Sequence, residues 1–201
     1  MLNWDSNKEA DWNCAVTKYN TYLIDEEKAA RDSRVTSINA SIISSLSVIA
    51  FKKYLEGEFF IWKYTNPKYR ASYLRSFNTM SMEELEDIKR NLSDASLPDE
   101  ELYKTAKHIK GLGTAGATAL LSTLYPHRFG TVDQFVVKCL QRAKSLSGDP
   151  IIQEINPQAI KDTEALYVEN LLQAKAKELN DLFDKVSWTP RQVDKAAFAD
   201  R

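Results

Sequence analysis

An all-α fold is predicted by three observations. Apolar residues recur at helical spacing along almost the whole chain. No alternating stretch of useful β length interrupts them. Helix-start chemistry also recurs: Ser81 to Glu84 and Thr131 to Gln134 match the capping-box pattern, while Pro98 and Pro190 stand where a first helical turn tolerates proline. At 201 residues with 43% apolar content, the chain suits one domain, or one domain of two lobes, with a sizeable core.

Taken in order, residues 12–23 read as a first helix and 35–54 as a second, with Ile38, Ile42, Leu46 and Ile49 on one stripe. Five serines (Ser37, Ser41, Ser44, Ser45, Ser47) lower its intrinsic propensity, so packing must hold it. Residues 58–64 are aromatic-rich, and Asn66-Pro67 breaks the chain before a helix running to about Phe77. The Ser81 box opens a helix to Leu92, and Pro98 precedes another over 101–110. A helix over 116–125 stops at Pro126; Thr131 is then the expected N-cap of the next, which places Asp133 in its first turn. Gly148-Asp149-Pro150 reads as a loop, irregular up to Lys161, before a long amphipathic helix over 164–186. Thr189 caps a short terminal helix with Pro190 first and Val193, Ala196, Ala197 and Phe198 on its packing face.

Composition narrows the function classes. Cys14 and Cys139 are too few and too distant for a disulfide framework, which predicts a reducing compartment. No apolar run has transmembrane length and the N-terminal residues do not form a signal peptide, so a soluble, cytoplasmic protein without membrane contact is expected. His108 and His127 lack ligand-spaced partners, and neither metal nor cofactor is implied. Net charge is −1, but residues 103–145 hold seven cations (Lys104, Lys107, Lys110, Arg128, Lys138, Arg142, Lys144) against one acid, Asp133. A basic footprint in a neutral chain fits a phosphate backbone; a solvated helix surface is the plain alternative.

The footprint coincides with IKGLGTAGATALLSTLYPHRFGTVD, residues 109–133. Here Gly111-Leu112-Gly113 forms a tight turn between two helical patterns, Gly116-Ala117 a small pair, Leu120 and Leu121 an apolar helix, and Val132-Asp133 its terminal acid. Glycine turns of this kind aim backbone N–H groups at a phosphate, although plain helix connections favour glycine too. Over about 35 residues, to Leu140, this block resembles the helix–hairpin–helix DNA glycosylase superfamily, which includes endonuclease III and the 8-oxoguanine glycosylases. Lys110 stands where many members have proline. Bifunctional members carry a lysine nucleophile eighteen positions before the acid; that position is Ala115 here, so no Schiff base can form at it. The four closely spaced C-terminal cysteines that hold an iron–sulfur cluster in some members are missing as well.

The resemblance implies two helical lobes with a cleft: one over about 25–150 containing the hairpin at 101–125, the other formed by the remaining N- and C-terminal helices. It implies a monomer that binds double-stranded DNA, nucleoid-associated when bound, flips one modified or mismatched base and hydrolyses its N-glycosidic bond. Asp133 would stabilise the sugar cation or activate water; simple helix capping is its structural alternative. Lys110, Gly111, Leu112, Gly113, Thr114 and Gly116 would contact the backbone. A flipped base needs apolar or aromatic walls, for which Trp62, Tyr64, Tyr69, Gln134 and Trp188 are candidates, although aromatics in helical proteins mostly form core. Asp194 is expected to pair with a basic residue near the hairpin, in a structural role. A non-catalytic DNA-grip module is the rival reading, and a helical protein–protein adaptor a more distant one.

Overall fold

The computed structural model describes residues 2–22, 25–183 and 187–199. They form helices α1 (Glu9–Thr21), α2 (Glu26–Thr36), α3 (Ala40–Ser45), α4 (Val48–Tyr54), α5 (Phe60–Lys63), α6 (Pro67–Phe77), α7 (Met82–Leu92), α8 (Asp99–Lys107), α9 (Thr114–Leu124), α10 (Gln134–Gln141), α11 (Pro150–Glu154), α12 (Asp162–Leu182) and α13 (Pro190–Phe198). One π-turn, Leu55–Phe59, joins α4 to α5, and a 3₁₀ turn covers Lys144–Leu146. No strand occurs among the described residues, and the fold is all-α. None of their helices is long and apolar enough to cross a membrane.

The chain divides into two compact units, Asp25–Tyr125 and Met1–Ile24 with Pro126–Arg201. In the first, α2 to α9 enclose Phe51, Leu55, Phe59, Phe60, Phe77, Leu85, Leu92 and Leu102, all fully buried. The π-turn widens the helix by one residue, and the consecutive Phe59 and Phe60 both reach the core. In the second unit α13 packs against α1, α10 and α12. Its Val193, Ala196 and Ala197 are fully buried, and the two methyl side chains let neighbouring backbones come close. Trp12 stacks edge-on between Trp4 (5.8 Å) and Trp188 (5.9 Å), with the buried Lys175 ammonium 5.3 Å above Trp4.

Helix starts governed by local hydrogen bonds fall where the sequence puts them. Ser81 and Glu84 close their box reciprocally (3.1 and 2.6 Å), Thr189 and Gln192 do the same, and Asn66 caps α6 ahead of Pro67. The expected helix over 35–54 is instead three pieces, because the Asn39 and Ser47 side chains cap new helices at Ile42 N–H and Ala50 N–H. Its expected stripe is not core either: Ile42 and Ile49 are exposed, and Val35, Ile43 and Phe51 are buried in their place. Pro98 is an N-cap rather than a first helical residue, and α8 stops at Lys107, three residues early, where the hairpin turn begins. The loop expected at 148–161 contains α11, capped by Asp149 with Pro150 first. The ends predicted for the first and the long helix, Leu23 and Val186, lie outside the described residues.

Candidate functional site

The turn between α8 and α9 rests on aromatic rings. Gly111 adopts φ 90°, and a β-carbon there would sit 2.5 Å from the Tyr73 carbonyl oxygen, so both conformation and space require glycine. The Lys110 N–H meets Met80 Sδ at 3.3 Å, while Ile109 and Leu112 are buried beneath the turn. Tyr64 lies under the same turn, its ring 4.4 Å from that of Tyr73 and 5.8 Å from that of Phe60. Its hydroxyl donates to the Gly111 carbonyl (3.2 Å). Burial, reinforced by the neighbouring Tyr73, pushes this phenol far above its ordinary pKa. Gly116 is small for the same reason, since a β-carbon there would meet the Tyr64 hydroxyl at 2.5 Å. Gly113 differs: it is exposed, is the N-cap of α9, and has open space around its missing side chain.

Thr114 is the first residue of α9, and Lys107 brings its ammonium to 3.3 Å from the Thr114 hydroxyl. A cation at the positive end of a helix dipole is unfavourable by itself and becomes favourable when an anion joins it. Sequence reasoning counted Lys107 in the basic footprint but did not place it at the hairpin, because a lysine in the last turn of α8 has an ordinary dipole rationale. Lys110, which it did place there, turns its ammonium to Glu84 (3.5 Å), and Lys104 pairs with Glu100 and Glu101. These exposed pairs are weak and salt-screened, so they soften the basic footprint without abolishing it.

Asp133 is itself the N-cap of α10, which corrects the expected cap at Thr131. Its Oδ1 accepts the N–H groups of Phe135 (2.9 Å) and Val136 (3.2 Å), and the residue is half-buried. Among the described residues, Oδ2 accepts no hydrogen bond. The loop leading to it, 126–132, is strapped down by α12 and α13. The Gly130 N–H donates to Glu169 Oε2 (2.9 Å), and the Thr131 N–H donates to Asp194 Oδ2. Arg191 reaches the Thr131 hydroxyl (3.0 Å) and gives its own N–H to the Pro126 carbonyl, while Gln173 donates to the Arg128 carbonyl (2.6 Å). Glu169, Arg191 and Asp194 are all buried. Burial raises the Asp194 carboxyl; the Arg191 guanidinium at 2.8 Å and the Thr131 N–H pull it back. Thus Asp194 pairs within its own helix. Gly130 has no room for a side chain, since a β-carbon would lie 2.6 Å from Leu172 Cδ1 and 2.9 Å from the Pro190 carbonyl.

The five base-pocket candidates divide between the two units, Trp62, Tyr64 and Tyr69 in one and Gln134 and Trp188 in the other. Tyr64 supports the hairpin, Trp62 donates its indole N–H to the buried Asp32 (2.8 Å), and Tyr69 is 60% exposed on α6. Trp188 belongs to the tryptophan core, with its backbone clasped by Asn180. Gln134 starts α10 and bonds Gln158 rather than closing a capping box. Two residues beyond Asp133, by contrast, half-buried Phe135 packs edge-on against Phe198 (5.2 Å), which also meets Tyr19 and Tyr22. No periodicity marks that cluster, because its members come from α1, α10 and α13.

The unit Asp25–Tyr125 therefore places a glycine turn, the N-terminus of α9, the Thr114 hydroxyl and the Lys107 ammonium side by side. The other unit holds one carboxylate on an over-determined loop beside half-buried aromatic rings. No group of three or more potential metal ligands occurs among the described residues. No protein-family model, curated protein or solved structure matches the chain.

Proposed function

We propose that the chain is a monofunctional DNA glycosylase that hydrolyses the N-glycosidic bond of a flipped base in duplex DNA. The observation that carries this reading is the mounting of Asp133. Two buried carboxylates, a buried guanidinium and a glutamine hold the seven residues before it, far more than a surface helix cap needs. Buried ionic groups are costly to maintain, and geometric precision is one reason to retain them. Oδ1 is committed to α10, which leaves Oδ2 to face the sugar.

As the bond between C1′ and the base nitrogen breaks, its electron pair leaves with the base, which takes up a proton. The carboxylate stabilises the positive charge left on the sugar. Water then adds to C1′ and gives a proton to Asp133 or to solvent, leaving an abasic site. Phe135 and Phe198 supply aromatic surface for the extruded base. The hairpin binds a backbone phosphate through the N-terminus of α9, Thr114 and Lys107. Ala115 supplies no amine, and Lys110, the lysine nearest along the chain, is turned to Glu84; hydrolysis without strand cleavage follows. The protein acts as an intracellular monomer on DNA.

The alternative, a hairpin module that grips DNA without chemistry, draws on the capping bonds Asp133 already makes. One experiment separates the two: incubation with duplexes that each carry a single modified or mismatched base, followed by gel analysis with and without alkali. The glycosylase reading expects breaks that require alkali on at least one duplex. Breaks without alkali would overturn the monofunctional assignment, and salt-sensitive binding with no abasic site on any duplex would favour the grip module.

A further inference from the structure

We infer that the ring cluster of Tyr19, Tyr22, Phe135 and Phe198, with Lys138 and Lys195 beside it, binds an unpaired strand of DNA. Bases stack on the rings, and the ammonium groups meet the phosphates. The inference goes beyond excision at Asp133, because it assigns this face an affinity for single strands that needs neither a duplex nor catalysis.

Charge is the first observation. Residues 134–148 contain three cations, Lys138, Arg142 and Lys144, and no acid. All three are exposed, and Lys138 and Lys144 make no ion pair among the described residues. The hairpin cations differ, since Lys104 and Lys110 are paired to glutamates. The basic footprint read from the sequence is therefore least neutralised on α10 and the turn after it, a surface complementary to a phosphate backbone.

Aromatic surface lies beside that charge. Phe198 of α13 meets Phe135 of α10 at 5.2 Å, and meets Tyr19 and Tyr22, at the end of α1, at 5.6 and 6.1 Å. All three contacts are edge-on, which covers less π surface than face-to-face stacking. Lys138 holds its ammonium 5.9 Å from the Phe135 ring, and Lys195 holds its own 5.1 Å from that of Tyr19. Cation–π contacts outside a dry core are weak, so either ammonium can still meet a phosphate. The tryptophan core of the same unit provides the contrast. Trp4, Trp12 and Trp188 are at most 4% exposed, and their cation, Lys175, is buried with them. Rings that serve packing are enclosed in this way, whereas the four rings beside α10 are only half-buried and Lys138 is exposed. Half-buried rings interleaved with cations are what an unpaired strand recognises. An acidic peptide would need the cations but not the planar faces.

The test titrates the whole chain with a fluorescein-labelled oligothymidylate about ten nucleotides long, over a range of salt. A strand of equal length built only of abasic sugars supplies the same phosphates without bases. Thymidylate is expected to bind about tenfold more tightly than the abasic strand, the effect of one stacked base. Phe135→Leu keeps apolar volume but removes the ring, and should erase most of that preference. Lys138→Met, an exposed change, should flatten the slope of log affinity against log salt by about 0.7. Lys107→Met, on the hairpin, should leave single-strand binding unchanged.

Failure to bind thymidylate at low salt would overturn the inference. So would equal affinity for the abasic strand, the result expected of a surface for acidic ligands in general. A slope change in Lys107→Met as large as that in Lys138→Met would also sink it, because the affinity would then belong to no particular face. Modified duplexes that are never cleaved would refute excision at Asp133 and leave each of these outcomes readable.

Discussion

The hairpin and the Asp133 loop are both short irregular segments next to a helix N-terminus, but they are held by opposite means. Rings, the obligatory Gly111, the small Gly116 and one phenol seat the hairpin, and Gly113 is left exposed. Buried charged side chains from two other helices tie the Asp133 loop at the Gly130 and Thr131 N–H groups and at the Thr131 hydroxyl. Apolar seating is forgiving at its rim and keeps a surface available for a large, variable ligand such as a phosphate backbone. Ionic strapping is brittle but fixes one atom closely, as chemistry requires.

The strongest way to break this contrast is Asp194→Ala, which strips the strap and removes the carboxylate paired with the buried Arg191 guanidinium. Losing one partner of such a pair costs about 3–5 kcal/mol, so urea unfolding should show a loss of that size. A loss below about 1 kcal/mol would mean that the pair behaves like an exposed one and that the loop is not held as described.

The hairpin glycines sharpen the comparison next. Gly111→Ala combines a left-handed backbone with a clash against Tyr73, and about 2–4 kcal/mol is expected from strain and overpacking together. Gly113→Ala meets open space at φ −76° and should cost well under about 1 kcal/mol. Its effect should appear in duplex affinity, where the new methyl obstructs the approaching phosphate. Equal stability losses at both positions would contradict the division into seat and rim.

Lys107→Met comes third. Stability should hardly change, while the slope of log affinity against log salt should become shallower by about 1, the signature of one lost phosphate contact. An unchanged slope would remove Lys107 from the interface.

Much of this architecture was legible in the sequence wherever a structure is built from neighbours along the chain. The Ser81–Glu84 and Thr189–Gln192 boxes, the Asn66-Pro67 start and the glycine turn involve partners three residues apart or fewer. Errors arose where one pattern admits two registers. Thr131 to Gln134 satisfies the capping-box rule, yet Thr131 is drawn off by Arg191 and Asp194, and Asp133 takes the cap two residues later. The serine-rich stretch hid two caps, Asn39 and Ser47, inside an apolar run. Glu169, Gln173 and Arg191 carried no signal at all, because they reach the loop across 39 to 65 positions and each resembles an ordinary helix-surface residue until its burial is known; Asp194, expected to pair with a basic residue near the hairpin, pairs with Arg191 of its own helix. Aromatic character alone puts Tyr64 in a base pocket; its hydroxyl instead finds the Gly111 carbonyl, a partner 47 positions away that no spacing rule anticipates.

The smallest expected effect is a pH dependence at α11. The Tyr167 hydroxyl, bonded to Asp149 at 2.7 Å, holds that carboxyl below its ordinary value of 3.8. A depressed carboxyl contributes stability that is complete above the unfolded value and disappears as pH falls through the lower folded one. Unfolding midpoints measured downward from pH about 4 should therefore fall slightly more steeply in wild type than in Tyr167→Phe. Parallel curves would show that the bond has no energetic consequence.

Asp133→Asn decides most directly whether the strapped carboxylate does chemistry or merely caps α10. Asparagine caps a helix about as well as aspartate, so the unfolding midpoint should stay within about 2 °C of wild type. Excision on whichever modified duplex the wild type cleaves should fall at least about 100-fold. A variant that excises normally would contradict the catalytic assignment and leave Asp133 a cap.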